Sequence, residues 1–358
     1  MKKIIWALLC LPVLQLRAQT KEEEKPLKIS GYLEAYYCYD FGNPANHNRP
    51  SFVYSFNRHN EVNLNLGYIK AAYAKDNVRA NLAIMAGTYP NANMVAEPGV
   101  LKNIYEANAG VKLSKKHELW IDAGIFASHI GFESAVGKDC WSLTRSILAD
   151  NSPYYESGVK VSYSSPNNKW FASALILNGW QRIQRPDGNN MPAFGHQLTF
   201  KPNEKLTFNS SSFIGQDKPD SIKQMRYFHN FYTQMNLTAE FNIIAGFDIG
   251  AEQRAKGSSQ YNTWYSPVLI ARYSPVPQIA IAARGEYYSD KHGVIISTGT
   301  PNGFQTWGYS LNFDYSIAAN ACWRIEGRGF TGKDKTFLKE QTATNNNFFI
   351  TTSLAISF

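Results

Sequence analysis

The sequence predicts an all-β protein, a transmembrane antiparallel β-barrel of about 16 strands, and three observations support this fold class. Polar and apolar residues alternate over long stretches, which is the period of strands with two different faces. Short turns and long loops alternate along the chain. After residue 20 no apolar run reaches the roughly 18 residues of a transmembrane helix, although the chain carries 21 Tyr, 21 Phe and 8 Trp. This combination is typical of a barrel whose outer face meets lipid.

The N-terminal segment is expected to lie outside the barrel. Residues 1–18 resemble a signal peptide, because two lysines precede the apolar run IIWALLCLPVL and the small Ala18 ends the segment. A lipoprotein interpretation of Cys10 is disfavoured, since a bulky leucine precedes this cysteine in the middle of the apolar run. Residues 19–28 (QTKEEEKPLK) are charged and contain a proline, so we expect a periplasmic lead-in there. The barrel is then expected to span residues 29–358.

Net charge and cysteine content exclude several classes of protein. The formal net charge of +8 becomes +5 without the predicted signal peptide, which contains three basic and no acidic residues. The remaining basic residues are interspersed with acids, so the sequence does not indicate nucleic-acid binding. Cys38, Cys140 and Cys322 are odd in number and far apart, which is typical neither of a disulfide framework nor of a zinc site. We therefore expect buried or lumenal thiols and no metal or other cofactor.

Charged residues recur on one face of several predicted strands. In EFNIIAGFDIGAEQR the apolar residues from Phe241 to Ala251 share a face, and the acids lie on the other. Two later strands, QIAIAARGEYYSD and ACWRIEGRGF, also place acids and bases on one face. These candidates for the pore lining are Asp248, Glu252, Arg284, Glu286, Arg324, Glu326 and Arg328. Paired charges that fill the lumen are the alternative, but side chains alone cannot fill the interior of sixteen strands.

The connections between strands fall into two length classes. Short turns are predicted at 74–77, 114–117, 164–169, 201–205, 236–240, 274–278 and 316–320. Longer loops are predicted near 41–60, 87–103, 128–153, 180–193, 216–225, 255–260, 291–303 and 332–346. Short periplasmic turns and long extracellular loops characterise transmembrane barrels, whereas the turns of a soluble β-sandwich have similar lengths at both ends. Seven turns and eight loops connect sixteen strands.

Loop 128–153 is the candidate constriction. Its segment DCWSLTRSILAD is expected to be helical with Asp139 as the cap, and its apolar residues could pack on the barrel wall. The charged residues that could then face the pore are Glu133, Lys138, Asp139, Arg145 and Asp150. Acids opposite bases would order water and filter solutes by size and charge. The alternative is a capped outer loop that never enters the lumen.

The same region carries a family resemblance. The stretch GIFASHIGFESAVGKDCWSLTRSILADNSPYYESGVKVSY, followed by LILNGWQRI, resembles the OmpL-like β-barrel porins of Bacteroidetes outer membranes. The matching elements are Gly131 with Glu133, Arg145–Ser146, Pro153–Tyr154–Tyr155 with Gly158, and Asn178–Gly179–Trp180. The resemblance covers nearly the whole mature chain. It implies a channel-forming barrel in the outer membrane of a Gram-negative cell, without a defined substrate or catalytic residues.

The final residues, NNNFFITTSLAISF, alternate and end on the aromatic Phe358. We expect Phe348, Ile350, Leu354, Ile356 and Phe358 to face lipid, with Thr352 as a polar exception. A terminal aromatic strand resembles the signal that the barrel-assembly machinery reads in outer-membrane proteins. The predicted partners are this machinery, outer-membrane lipid and lipopolysaccharide.

The predicted function is a porin for passive diffusion of small hydrophilic solutes. No HExxH or nucleophile-elbow motif is present, so an enzyme is not expected. A non-conducting structural or adhesive barrel and an outer-membrane enzyme are the alternatives. If a homotrimer forms, the first five strands are the expected interface, by analogy with general porins.

Overall fold

The structure is a computed structural model that describes residues 25–358. The predicted signal peptide, 1–18, and most of the predicted lead-in, 19–28, lie outside the described residues. The first strand begins at Leu27, two residues before the predicted start of the barrel.

Sixteen strands pair antiparallel in chain order and close into one barrel. The first nine strands are β1 (Leu27–Asp40), β2 (Val62–Lys75), β3 (Val78–Ala86), β4 (Ile104–Lys112), β5 (Glu118–Ala127), β6 (Tyr155–Ser164), β7 (Trp170–Leu177), β8 (Ala193–Asn203) and β9 (Leu206–Gly215). They continue with β10 (Arg226–Asn236), β11 (Phe241–Gln253), β12 (Tyr261–Val276), β13 (Ile279–Asp290), β14 (Phe304–Ala318) and β15 (Ala321–Gly332). A separate hairpin, β16 (Phe337–Lys339) and β17 (Thr342–Thr344), precedes the closing strand β18 (Asn346–Ser357).

Closure occurs between β18 and β1, in a register that runs from Tyr32 opposite Ser357 to Asp40 opposite Phe349. A closed sheet leaves no edge, so all of its backbone groups can pair within the wall, as lipid requires. The predicted sixteen-strand antiparallel barrel is therefore confirmed.

The two ends of the barrel differ. All seven predicted short turns connect strands at one end, which we call the short-turn end, and the eight long loops meet at the other, the long-loop end. The long loops contain helices α1 (Thr88–Asn93) and α2 (Ile147–Asp150) and single 3-10 turns at Gly99–Asn103, Gly137–Asp139 and Asp220–Ile222. Within residues 25–358 no helix is long and apolar enough to cross a membrane.

Strand β18 shows how the wall separates its faces. Phe348, Ile350, Leu354 and Ile356 are exposed on the outside, as predicted, whereas the residues between them are buried. Thr352 interrupts this apolar row, but it accepts a hydrogen bond from Trp323 Nε1 at 2.9 Å and donates one to a backbone carbonyl at 2.8 Å. The polar exception is therefore satisfied within the wall.

A second polar site on the outer wall lies on β8 to β10. Ser212 lies opposite both His196 and His229 in the sheet register, and apolar residues surround this row. Its hydroxyl lies 2.6 Å from His196 Nδ1, and Ser210 Oγ lies 2.9 Å from His229 Nε2. Polar groups in a lipid-facing wall are costly unless they are paired, and this row pairs with itself.

The lumen is occupied by loops as well as side chains. In the long-loop half, inward-facing aromatic residues from many strands pack against residues of loops 41–61 and 128–154. The buried cluster includes Phe52, Phe56, Phe213, Phe228, Trp264, Phe304, Phe330, Phe337 and Phe349. Sixteen strands do enclose a wide interior, but folded loops take up much of that width.

Candidate functional site

The loop between β5 and β6, residues 128–154, runs deep into the lumen. Every residue from Ser142 to Tyr155 is buried. The most distant part of the loop reaches the short-turn end, where Lys138 Nζ donates to Ser357 Oγ at 2.7 Å. The loop therefore traverses the barrel, and the alternative of an outer loop that stays outside the lumen does not describe this structure.

Three arginines of the wall donate to backbone carbonyls of this loop. Arg324 donates to Gly137 O at 2.6 Å and to Cys140 O at 2.9 Å. Arg284 donates to Thr144 O at 2.8 Å, and Arg328 to the carbonyl of the next residue at 2.6 Å. Because these arginines alternate with apolar residues on β13 and β15, they all point inward.

Side chains of the wall also accept hydrogen bonds from backbone N–H groups of loop 128–154. Thr144 N donates to Glu326 Oε2 at 2.5 Å, and Ile147 N donates to Glu286 Oε2 at 2.6 Å. Asn312 Oδ1 accepts from Leu143 N at 3.0 Å. The loop backbone is thus bound by side chains of β13, β14 and β15, much as a strand is bound by its neighbour.

The wall charges also pair with each other. Arg284 lies 2.7 Å from Glu326, Arg328 lies 2.6 Å from Glu286, and Arg324 lies 2.6 Å from Asp314. Buried ion pairs remain costly unless further hydrogen bonds complete them, and the loop backbone supplies those bonds. We call these six side chains and the loop backbone from residue 137 to 147 the loop–wall network.

The predicted helix across residues 139–150 is wrong in extent and in its cap. Only Ile147–Asp150 is helical, and Ser146 caps it by accepting from Ala149 N at 3.4 Å. The physical reason is competition, because the wall carboxylates take the N–H groups that a longer helix would need. Asp139 lies instead in a 3-10 turn and is exposed.

The loop residues predicted to face a pore have other surroundings. Arg145 is fully buried and donates to loop carbonyls, including Ser134 O at 2.6 Å and Ala135 O at 3.1 Å. Glu133 accepts from Ser146 N at 2.9 Å and is also buried. Arg145 braces the loop internally, and Glu133 also lies 3.9 Å from Arg284 of the wall, so neither side chain contacts an open pore.

The predicted wall residues separate into two groups. Arg284, Glu286, Arg324, Glu326 and Arg328 meet in the loop–wall network, where the loop covers them, so they do not line an open channel. Asp248 lies elsewhere and accepts from Asn230 Nδ2 at 2.6 Å. Glu252 pairs with Arg226 near the long-loop end, at 2.6 Å.

The prediction missed several functional residues. Asp314 and Asn312 belong to the polar face of a predicted strand, and this alternation is the signal that could have found them. His129 and Glu156 form a buried pair at 2.8 Å where the loop leaves the wall. No local pattern indicates that pair, because its partners lie on different elements.

Burial and neighbouring charges shift the pKa of three loop residues. Burial lowers the pKa of His129, but the carboxylate of Glu156 outweighs burial, so the net shift is upward. Burial raises the pKa of Asp150 to about 7, against the opposing effect of nearby arginines. Burial likewise raises the pKa of Glu133.

These shifts predict weaker docking of the loop at alkaline pH. The contribution of His129 to the stability of the docked loop is complete below about pH 6.5 and is lost as pH rises through the raised pKa of His129. A buried carboxyl with a raised pKa favours the docked loop at low pH, and for Asp150 this stabilisation falls between about pH 4 and 7. Ionic current through the protein should therefore be larger at pH 8.5 than at pH 5. In a H129Q variant the increase in current from pH 5 to pH 8.5 should be smaller. Equal currents of the intact protein at both pH values would contradict the prediction.

A polar cavity of about 520 Å³ lies in the short-turn half along β3 to β7, on the opposite side of the barrel from the loop–wall network. It is lined by charged residues including Arg79, Asp122 and Lys160, with Trp120 among them. Arg79 Nε and Nη2 donate to the two oxygens of Asp122 at 2.6 and 2.5 Å. None of the described residues that line this cavity belongs to loop 128–154, so the cavity is a polar part of the lumen beside the loop.

Among the residues described, no cluster of three or more His, Cys, Asp or Glu could hold a metal ion. Cys38, Cys140 and Cys322 are free thiols; the first two are buried and the third is half-buried.

Comparison with known families gives one match over almost the whole described chain. The model of the family described as "Putative beta-barrel porin-2, OmpL-like" matches residues 26–358. No curated protein matches the chain significantly.

Solved structures share the fold at very low sequence identity. An anion-selective porin from Comamonas acidovorans is 8% identical, with a TM-score of 0.60, over 93% of this chain and 99% of that one. The trimer form of OmpT, an outer membrane protein of Vibrio cholerae, is 9% identical, with a TM-score of 0.60, over 93% and 99%. The outer membrane channel DcaP of Acinetobacter baumannii is 10% identical, with a TM-score of 0.58, over 93% and 97%.

Proposed function

The chain belongs to the OmpL-like family of β-barrel porins, and from this premise we propose that it conducts small hydrophilic solutes by passive diffusion across the outer membrane of a Gram-negative cell. The observation that carries the proposal is the polar cavity along β3 to β7. Its charged residues offer hydrogen bonds to water and to polar solutes. The loop–wall network holds loop 128–154 against the opposite side of the barrel, so that the loop sets the width of the passage.

The narrowest part of this passage is proposed to lie beside Phe126 and Glu156, which are cross-strand neighbours on β5 and β6 and therefore lie on the same side of the wall. Phe126 ends the polar cavity, and His129 holds the carboxylate of Glu156 at 2.8 Å. The constriction is therefore assigned to the base of loop 128–154 rather than to Lys138 and Asp139.

Single-channel recording in planar bilayers tests the proposal. The refolded protein should give reproducible current steps, and solutes larger than the passage should be excluded in a vesicle-swelling assay. A folded, heat-modifiable barrel without current steps would instead support the non-conducting structural or adhesive role.

An enzymatic role is not proposed. The Ser212–His196 and Ser210–His229 contacts lie on the outer wall, and among the residues described no carboxylate is a hydrogen-bond partner of these two histidines. The family assignment also favours transport over catalysis.

We further propose that Phe358 takes part in assembly by the barrel-assembly machinery, after export by means of the N-terminal segment. Its backbone exchanges two hydrogen bonds with Gly31, at 2.7 and 3.0 Å. A Cβ atom on Gly31 would lie 2.3 Å from the Phe358 ring, so glycine leaves room for the aromatic group.

Deleting Phe358 should lower the amount of folded barrel in the membrane, while single-channel current of the barrels that do form stays unchanged. An unchanged yield of folded barrel would contradict the assembly role.

A homotrimer in contact with lipid and lipopolysaccharide stays a prediction. The polar row of His196, Ser212 and His229 supports an interface near β8 to β10, in place of the first five strands, because a second copy would shield it from lipid. Chemical cross-linking in membranes should then give a trimer band. A monomer band alone would contradict the prediction.

A further inference from the structure

A second cavity, of about 750 Å³, lies at the long-loop end, apart from the loop–wall network. It is enclosed by loop 41–61, helix α1 and the β16–β17 hairpin. Its apolar lining includes Pro50, Val53, Phe337 and Leu338, and its polar lining includes Asp40, Arg49, Asn57 and Asn347. A largely apolar cavity with a few convergent polar groups is the usual form of a small-molecule site.

Arg49 is the central polar residue of this cavity. Its side chain is buried, with only 4% of the residue exposed, and its guanidinium lies 3.4 Å from the centre of the Phe349 ring. Nη1 donates to Phe56 O at 3.1 Å, whereas Nε and Nη2 have no hydrogen-bond partner within residues 25–358. A planar pair of N–H groups of this kind matches the two oxygens of a carboxylate.

The backbone that positions Arg49 is itself unusual. Phe56 has a φ of 54°, which is rare for a bulky aromatic residue. Its N–H donates to Asn65 Oδ1 at 3.0 Å, and its carbonyl accepts from Arg49. Such conformations persist where surrounding contacts hold them, and they are concentrated at binding and catalytic sites.

Acceptors lie in the same cavity. Asp40 Oδ1 accepts from Gly42 N and from Asn347 Nδ2, each at 2.7 Å, but its Oδ2 is 3.8 Å from Arg49 Nε, which is too long for a hydrogen bond. The Oδ1 atoms of Asn57 and Asn347 are buried, and neither has a hydrogen-bond partner in the part of the chain that the structure describes. A ligand with only a carboxylate would be repelled by Asp40, and a ligand with only an ammonium group would be repelled by Arg49.

We infer that this cavity binds free α-amino acids with apolar side chains. The ligand carboxylate accepts from Arg49 Nε and Nη2. The ammonium group donates to Asp40 Oδ2 and to the amide oxygens of Asn57 and Asn347. The side chain packs on the apolar lining near Val53. This binding site is independent of the proposed channel activity, because binding at the outer mouth requires no passage through the lumen.

Isothermal titration of the refolded full chain in detergent micelles tests the inference. The probes are L-leucine, 4-methylpentanoate, which lacks the ammonium group, and 3-methylbutylamine, which lacks the carboxylate. Leucine should bind, and each analogue should bind about tenfold more weakly or worse, since each leaves a buried charge unpaired. Absence of leucine binding, or equal affinity for all three compounds, would overturn the inference.

Variants separate recognition from structure. R49Q should lower the affinity for leucine about tenfold. D40N keeps the acceptor for Gly42 N but removes the charge, so it should reduce the preference for leucine over 4-methylpentanoate. The exposed Arg254 supplies the matched control. R254Q should leave unchanged both the affinity for leucine and the preference for leucine over 4-methylpentanoate. Heat modifiability on gels shows whether each variant is folded. If R49Q fails to fold, the preference of the D40N variant for leucine over 4-methylpentanoate tests the inference. Unchanged preference in folded D40N would overturn the assignment.

Discussion

Replacing residues 139–150 with a glycine–serine linker of the same length should raise the single-channel current several-fold. In the intact protein residues 142–150 of this segment are buried in the lumen. At least six hydrogen bonds join the backbone of residues 139–150 to the wall; its N–H groups donate three of them and its carbonyl groups accept the other three. A flexible linker makes none of the ordered contacts of Leu143, Thr144 and Ile147, so it leaves the wall and opens the cross-section to water. Single-channel recording at fixed salt measures the change.

The matched control is a linker of equal composition at residues 255–260, which are mostly exposed and lie outside the lumen. That variant should conduct like the intact protein. If both replacements gave the same current, loop 128–154 would not be the main obstacle in the lumen.

Substituting Arg284 with methionine should lower the free energy of unfolding by about 3–5 kcal/mol, because removal of one partner leaves a buried charge uncompensated. Arg284 lies 2.7 Å from Glu326 and 3.9 Å from Glu133, and both carboxylates are buried. Its loss also frees the carbonyl of Thr144. Urea-dependent folding and unfolding in lipid vesicles measures the difference.

The double variant R284M/E326Q should recover part of this loss, because the remaining carboxamide carries no charge. R254M changes an exposed arginine and should stay within about 0.5 kcal/mol of the intact protein. A loss in R284M no larger than that in R254M would contradict a stabilising role for the loop–wall network.

Most of the barrel is readable from the sequence because its signals are local. Alternation along β18 assigns Phe348 and Ile350 to the outside and Thr351 to the inside, and the structure agrees. Turn positions follow from clusters of Asn, Pro, Lys and Ser between alternating segments, and all seven turns lie where they were predicted. The inward direction of Arg284, Glu286 and Arg324 follows from the same period of two.

The candidate site was only partly predictable, and loop 128–154 shows why. The local sequence pattern of this loop favours a helix, but in the folded chain the helix covers only Ile147–Asp150. The wall carboxylates Glu286 and Glu326 accept from Ile147 N and Thr144 N, at sequence separations of 139 and 182, and a helix over residues 139–150 would need both N–H groups for its own hydrogen bonds. Charged residues expected to face water are therefore buried against a loop.

By itself the sequence determined a barrel of about sixteen strands, the faces of the strands that alternate clearly and the end of the barrel at which each connection lies. Those properties depend on neighbours a few positions apart. The tertiary structure alone decided where loop 128–154 runs and which charges it covers. Arg324 meets Gly137 across 187 positions, at 2.6 Å, only because closure of the barrel brings β15 to the path of the loop. A contact of that kind has no periodicity along the chain, since it depends on the folded shape of both partners.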